Sequence, residues 1–370
     1  MKRHLRFLML LACPFFSCSN SSDLTMLVGT YTGGSSVGIY SYRFNSEDLT
    51  VQPLSEVAVS NPSFLTVTPD AKYVYSVSES GRNSTVSAFA FDKAKGTLRL
   101  LNQKTVGAGP CNVFYHTPTR TVATANYSDG SVSITNVEAD GSLGEQQVLF
   151  KYEGQGINAK RQNKPYLHCV IEAPDKKALF AADLGTDKIH KIDIEIPKNG
   201  TKDMNAIFKK SVSFDVEPGS GPRHIITNKK GTRAYLINEL SGMATVFSID
   251  AGNKLTQLQT LLADTENAGG SADIHLSPDE RFLYTSTRIR GDGIVIFSVN
   301  NDGTLKRIGY HATGQHPRNF AITPDGKRLL VACQNSNMIM ILNIDPKTGL
   351  LTDSGKTITI DRPVCIKFVQ

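Results

Sequence analysis

Tryptophan is absent from the 370 residues, cysteine occurs six times, and no apolar run reaches the roughly 20 residues that a membrane-spanning helix needs. The missing tryptophan removes the Trp-Asp signature by which the commonest scaffold-type repeat domains mark each repeat. Cys111, Cys169, Cys333 and Cys365 stand inside strand-like runs with no metal-ligand spacing, where a thiol acts as a small buried apolar side chain rather than a bridge or ligand. The formal net charge is only +6, and no Lys/Arg run carries interleaved aromatic residues, so nothing points to nucleic acid as a partner.

The first residues stand apart from the rest. Lys2, Arg3 and Arg6 lead into the apolar stretch Phe7 to Phe16, and Ser17 places a small residue before Cys18. This pattern resembles a bacterial lipoprotein signal, in which the cysteine after the small residue is lipidated. Residues 1–17 are then a signal peptide, Cys18 the lipidation site with Cys13 as the alternative, and residues 18–25 a polar tether. Removing residues 1–17 takes away three positive charges and no acid, so +6 falls to +3. A lipid anchor implies the cell envelope, with membrane contact only through the lipid; without it the protein is cytoplasmic.

What the chain has in abundance is one repeated phrase: a polar or Pro-led opening, an apolar run, a turn usually built on Pro-Asp, and a second apolar run ending in polar residues. Copies run from Asn61 to Glu79, Gly109 to Ser128, Tyr166 to Gly185, Gly221 to Leu240, Ser271 to Arg288 and His316 to Asn335. Measured at Pro69, Pro118, Pro174, Lys229, Pro278 and Pro324, the steps are 49, 56, 55, 49 and 46 residues. That is the period of a β-propeller blade. Segments such as Ser131-Val132-Ser133-Ile134 and Gly293-Ile294-Val295-Ile296-Phe297 alternate as outer strands, and Asp140-Gly141 and Asp302-Gly303 supply hairpin turns. A seventh copy opens at Arg362 to Phe368 and finds its partner strands at the other end, in Leu24 to Thr32 and Val37 to Phe44. Pairing the ends leaves no free sheet edge between blades. The expectation is an all-β, seven-bladed β-propeller over residues 26–370, a single domain and a monomer.

Alignment on the turn places Ser63, Asn112, His168, Arg223, Ala272, Arg318 and Val364 at one register, six before the turn where a turn is present. Ten after it stand Glu79, Ser128, Leu184, Glu239, Arg288 and Gln334, with Asn126, Tyr127, Asp183, His224, Asp273, His275 and Asn335 as neighbours. Both registers crowd one mouth of the central channel, because the turn joins the two strands at the opposite end. Three arginines close to one axis call for acids or an anionic guest between them, and a guanidinium fork suits carboxylate or phosphate.

The runs Gly109-Pro110-Cys111-Asn112-Val113, Ala123-Thr124-Ala125-Asn126-Tyr127, Gly221-Pro222-Arg223-His224, Asn238-Glu239-Leu240 and His316-Pro317-Arg318 resemble the seven-bladed lactonase family. That family contains the propeller-type 6-phosphogluconolactonases and the fungal carboxymuconate-lactonizing enzymes. The resemblance implies a lactone hydrolase acting on an anionic sugar-acid lactone, with no cofactor. It assigns His168, Arg223, Glu239 and Arg288 to the catalytic set. Substrate binding falls to Arg318, Asn112, Asn126, Tyr127, Glu79, Asp183, His224 and Gln334. The chain departs from the family at Tyr166 and Asn112, where many members carry histidine, which bears on the substrate more than on the fold. His168 is the preferred general base, since imidazole titrates near 6.5, with Glu239 orienting or replacing it. Arg223 stabilises the oxyanion, and Arg288 with Arg318 holds a distal phosphate or carboxylate.

Three alternatives stay open. Glu79, Asp183, Glu239 and Asp273 could converge on Ca²⁺, as in other propeller lactonases. The same site could run as a lactonizing cyclase on a carboxylated substrate. A non-catalytic propeller that binds a ligand or protein is the third, since fold alone licenses no activity.

Overall fold

The computed structural model describes residues 22–196, 203–264 and 266–369; the expected signal peptide, with Cys13 and Cys18, lies outside the described residues. These form seven four-stranded antiparallel sheets. Blade 1 is built from Leu65–Val67, Tyr73–Ser78, Thr85–Asp92 and Thr97–Thr105. Blades 2 to 6 occupy 110–151, 167–215, 222–262, 274–312 and 317–359 in the same order. Blade 7 takes its first strand, Pro363–Val369, from one end of the chain and its other three, Asp23–Thr30, Gly38–Asn45 and Val51–Ala58, from the other. The architecture is that of a seven-bladed propeller, closed by pairing the two ends. The strand at Asp23 pairs with Asn45, so residues 23–25 belong to the sheet and not to the polar tether expected there.

Alternation decides how each blade packs. Second strands such as Ala178–Asp183 and Phe282–Thr287 are buried on both faces, whereas the outermost strands, for example Thr97–Thr105, turn every other side chain to water. Seven apolar clusters form, each shared by two adjacent blades; Phe282, Tyr284 and Ile294 of blade 5 meet Phe320, Leu329 and Val331 of blade 6, for instance. No blade can bury its own faces alone, so stability is collective. The four cysteines among the described residues are buried and unbridged, as their apolar settings suggest.

Turn chemistry repeats as well. Thr68, Ser277 and Thr323 each donate a hydroxyl at 2.6 Å to the aspartate two residues on, Asp70, Asp279 and Asp325, which folds the Pro-Asp turn back on itself. Tyrosines of second strands then latch onto the hairpin of the next blade: Tyr75 on the carbonyl of Gly141, Tyr235 on Gly303 and Tyr284 on Gly349, at 2.9–3.0 Å.

First strands line the axis, and their inner edges have no sheet partner. Side chains meet those edges instead. Asn112 Oδ1 accepts from the backbone of Val170 at 3.1 Å, Asn319 Oδ1 accepts from Ile366 at 2.7 Å, and Asp273 Oδ2 accepts from Phe320 at 3.2 Å. Each bond staples one blade to the next, satisfying a buried donor that would otherwise be orphaned. Asn319→Ala is therefore expected to lower unfolding free energy in urea by about 2–3 kcal/mol, the cost of leaving buried polar groups unmet. Exposed Asn335→Ala serves as the control, and equal stability of the two variants would contradict the staple.

Candidate active site

Proline opens the first strand of blades 2, 4, 6 and 7, at Pro110, Pro222, Pro317 and Pro363. The residue before each has a left-handed backbone: Gly109, Gly221, His316 and Arg362, with φ of 63°, 65°, 59° and 48°. A Cβ on Gly109 would sit 2.3 Å from Ser128 Oγ, and one on Gly221 would sit 2.5 Å from Leu240 Cγ, so both positions demand glycine. A β-bulge follows. In blade 3, Leu167 pairs with Asp183 and Cys169 with Ala182, leaving His168 as the extra residue; Arg223, Arg318, Cys111 and Val364 are the corresponding residues of blades 4, 6, 2 and 7. A bulge re-aims its side chain, here into the mouth of the ring.

The second ring of mouth residues comes from the position just past the end of each second strand. Sixteen residues after the bulge residues of blades 2, 3, 4 and 6 come Tyr127, Leu184, Glu239 and Gln334; the same step carries Ser63 to Glu79 and Ala272 to Arg288, while Tyr31 stands past the strand Asp23–Thr30 of blade 7.

Glu239, from blade 4, is the hub. Its Oε2 accepts from Arg223 Nε at 2.8 Å and lies 3.2 Å from Arg288 Nη2, while Oε1 accepts from Arg161 Nη2 at 2.7 Å. Burial by itself would push the Glu239 carboxyl up, but Arg288, Arg223 and Arg161 outweigh it and hold it at about 2. Arg288 is lowered to about 9 by burial and by Arg223, and so keeps its charge at neutral pH. Its Nε donates to Gly270 O at 2.8 Å, and His316 Nε2 lies 3.4 Å from Nη1. His168 Nε2 stands 3.9 Å from Glu239 Oε2, too far for a direct hydrogen bond. Burial, then Arg223, depresses the His168 imidazole well below 6.5, so it is neutral at pH 7.

A second charge group faces this one across the mouth. Tyr31 donates to Glu79 Oε2 at 2.8 Å, and Arg318 Nη2 lies 3.8 Å from the same oxygen with its guanidinium over the Tyr31 ring. Around the opening, then, Arg161, Arg223, Arg288 and Arg318 outnumber Glu79 and Glu239 by two charges. Ser63 Oγ, Ser271 Oγ and Gln334 Oε1 are buried with no hydrogen-bond partner among the described residues. A polar anionic guest answers both features.

The structure brings together His168, Arg223, Glu239, Arg288, Arg318, Glu79, Tyr127 and Gln334, and it removes four residues from the expected substrate-binding set. Asn126 and Asp183 end their strands facing into their own blades. Asn126 holds Ser131, Ser133 and Thr124, and Asp183 holds His190, Thr186 and the backbone of Tyr166 and Gly185. Alternation puts the next residue, Tyr127 or Leu184, at the mouth. Asn112 is the blade staple described above: the first strand of blade 2, Pro110–His116, is one residue longer before its turn, so Cys111 takes the bulge that alignment on the turn assigns to Asn112. His224 lies one residue below the mouth, with Nδ1 on Asp273 Oδ1 at 2.8 Å and Nε2 3.3 Å from Arg223 Nη1.

The four carboxylates expected to share Ca²⁺ do not converge. Glu239 and Glu79 are taken by arginines, Asp183 is inside its blade, and Asp273 lies below the mouth accepting from two histidines. No group of three metal-ligating side chains occurs among the described residues.

Tyr31 and Arg161 escape a repeat-based reading. Arg161 comes from the connection between blades 2 and 3, outside any repeat, and reaches in through Asn158 and Gln162, whose mutual hydrogen bonds fold that connection. Tyr31 follows the first chain strand, which is identifiable as a mouth position only once it is paired with 363–369.

Residues 25–368 match the family model described as lactonase, 7-bladed beta-propeller. A 6-phosphogluconolactonase of Formosa agariphila is 38% identical over 335 residues, 88% of this chain and 94% of that one. Among solved structures, a candidate 6-phosphogluconolactonase of Bacteroides fragilis superposes with a TM-score of 0.90 at 49% identity, covering 95% of this chain and 99% of the other. A periplasmic gluconolactonase of Pseudomonas aeruginosa gives 0.86 at 33%, covering 94% and 99%. The chain belongs to the lactonase family of seven-bladed β-propellers. Its class is that of the lactone hydrolases.

Acid should weaken the fold through this site. His224 and His316 are lowered to about 4, by burial first and then by Arg223 and Arg288 respectively, so between pH 4 and 6.5 the unfolded chain binds more protons than the native one. Glu239 adds stability that is present above its ordinary value of 4.5 and lost as pH falls toward 2. Urea unfolding is expected to give a lower free energy at pH 4.5 than at pH 7; a flat profile over that interval would count against neutral buried histidines.

Proposed function

We propose that the protein hydrolyses an anionic sugar-acid lactone of the 6-phosphogluconolactone type, with His168 as the general base. The observation that carries this is the excess of two positive charges at the mouth, gathered around one ionised carboxylate beside a neutral imidazole. A lactone has an activated acyl carbon and needs chiefly a directed water and a place for developing negative charge. Water deprotonated at His168 attacks that carbon; Arg223 and Arg288 stabilise the oxyanion, and the ring C–O bond breaks as the leaving oxygen takes the proton back from the His168 imidazolium. Glu239, held at about 2, is a weak base, and its part is to keep the guanidiniums in place. Arg318, backed by Tyr31 and Glu79, stands where a distal phosphate or carboxylate can pair. The tautomer of His168 follows from Cys111. The Sγ lies 3.4 Å from the His168 carbonyl, 3.6 Å from the Leu167 carbonyl and 3.6 Å from Nδ1; with the thiol donating to a carbonyl, sulfur accepts from Nδ1 and Nε2 is bare toward the mouth.

The relatives support hydrolysis over cyclisation or a purely binding role, since those named above carry lactonase names. The lipoprotein-type leader and the periplasmic location in the name of the Pseudomonas relative favour an envelope protein anchored through Cys18. An unphosphorylated aldonolactone would be the substrate more readily met there. The assay that separates the substrates compares glucono-δ-lactone with its 6-phosphate.

His168→Ala is expected to lower kcat by at least about 100-fold, the lower end of general-base loss, with near-normal turnover rejecting the role. Arg318→Met should raise KM for the 6-phosphate by about 10–100-fold, as for a lost charge-assisted contact, and leave the unphosphorylated lactone within about threefold. Equal effects on both lactones would place the phosphate elsewhere.

A further inference from the structure

At the level of the bulge residues the channel is nearly shut. Ser63, Cys111, His168, Arg223, Arg318 and Val364 converge until only about 10 Å³ stays free between them. Beneath that plug the channel widens again into a chamber of about 260 Å³, facing the Pro-Asp turns.

Its wall is divided in character. Three residues past each bulge position stand Thr66, Phe114, Ile171, Ile226, His275, Ala321 and Lys367, in ring order from blade 1 to blade 7. Blades 2 to 4 thus offer Phe114, Ile171 and Ile226, a continuous apolar arc. Blades 5 and 7 offer His275 and Lys367, separated by a single methyl at Ala321. The Lys367 ammonium lies 4.4 Å from the Phe64 ring centroid, and among the described residues no carboxylate comes within ion-pair distance of it. Asp273 is the acid in the chamber wall, and it is saturated. Its Oδ1 accepts from His224 at 2.8 Å and from Ile274 N at 3.0 Å; its Oδ2 accepts from His275 at 2.9 Å, Phe320 N at 3.2 Å and Asn319. Lys367 therefore stands half-buried over an aromatic ring, facing an apolar arc, with its charge unanswered.

We propose that this chamber is a second ligand site, shaped for a small monocarboxylate with an aromatic or branched aliphatic body. The carboxylate pairs with Lys367 on the polar side, and the body covers Phe114, Ile171 and Ile226. One ammonium with an adjacent aromatic ring suits a monoanion, whereas the four guanidiniums of the other mouth suit a dianion. The volume lies below the range of drug-sized pockets and limits the guest to about a single ring. Nothing in the assignment depends on the reaction at the arginine mouth.

The probe is 4-bromobenzoate. Calorimetric titration of the protein is expected to show saturable binding that weakens at least about tenfold in Lys367→Met and stays within about twofold in Arg318→Met, since only the first removes the proposed ion pair. Lys367→Met should retain lactone turnover. Crystals soaked in the probe should show bromine anomalous signal between Phe114 and Ile226, and this readout needs no variant should Lys367→Met fail to fold. No saturable binding, unchanged affinity in Lys367→Met, or bromine found only at the arginine mouth would each overturn the proposal.

Discussion

One buried carboxylate holds the arginine mouth together. Glu239 meets guanidiniums from its own blade, from blade 5 and from a connecting segment, and without it Arg161, Arg223 and Arg288 would face one another across a space from which water is largely excluded. Like charges so placed cannot be tolerated without a counterion, and removing one partner of such a cluster costs more than the ion pair itself contributes. That constraint explains why Glu239 sits so low on the acid scale and why Arg161 is drawn inward from a connecting segment; His168 stays neutral for a separate reason, its burial beside Arg223.

The placement of these side chains rests on a backbone device rather than on the side chains themselves. A left-handed residue, a proline and a bulge recur at the head of several first strands, and each occurrence turns one residue out of the pleat toward the axis. The scaffold is close to symmetric, and chemistry enters by varying what the bulge carries: histidine, arginine, cysteine or valine. Directly beneath, the same strands must satisfy their inner edges, and Asn112, Asn319 and Asp273 do so. Site and scaffold are therefore adjacent registers of one strand, a residue apart.

The two ends of the channel differ as a result. One is crowded with guanidinium and carboxylate; the other is half apolar and carries a solitary ammonium. A layer of packed side chains lies between them, so the two ends of one axis carry different chemistry.

Much was legible in the residues alone, because a strand alternates with period two and a blade repeats at about 50 residues. Seven blades, ring closure by the two ends, and the gathering of His168, Arg223, Glu239 and Arg288 follow from counting positions relative to the turn. Counting failed where a single residue was inserted: blade 2 slipped by one, so Asn112 stood in for Cys111 and Ser128 for Tyr127 at the mouth. Neighbours added to the counted register misled at strand ends: Asn126 and Asp183 face into the blade, whereas Tyr127 and Leu184, the second placed at the mouth by counting, come next. Arg161 and Tyr31 could not be reached by counting at all, since one lies outside the repeat and the other becomes a mouth residue only through pairing with residues more than 300 positions away. Sequence periodicity determines which residues share a register, since it is a local property of the chain. Which of them share the mouth was settled only by the closed ring, because contact across the axis depends on how seven separate strands, five of them bulged, meet there.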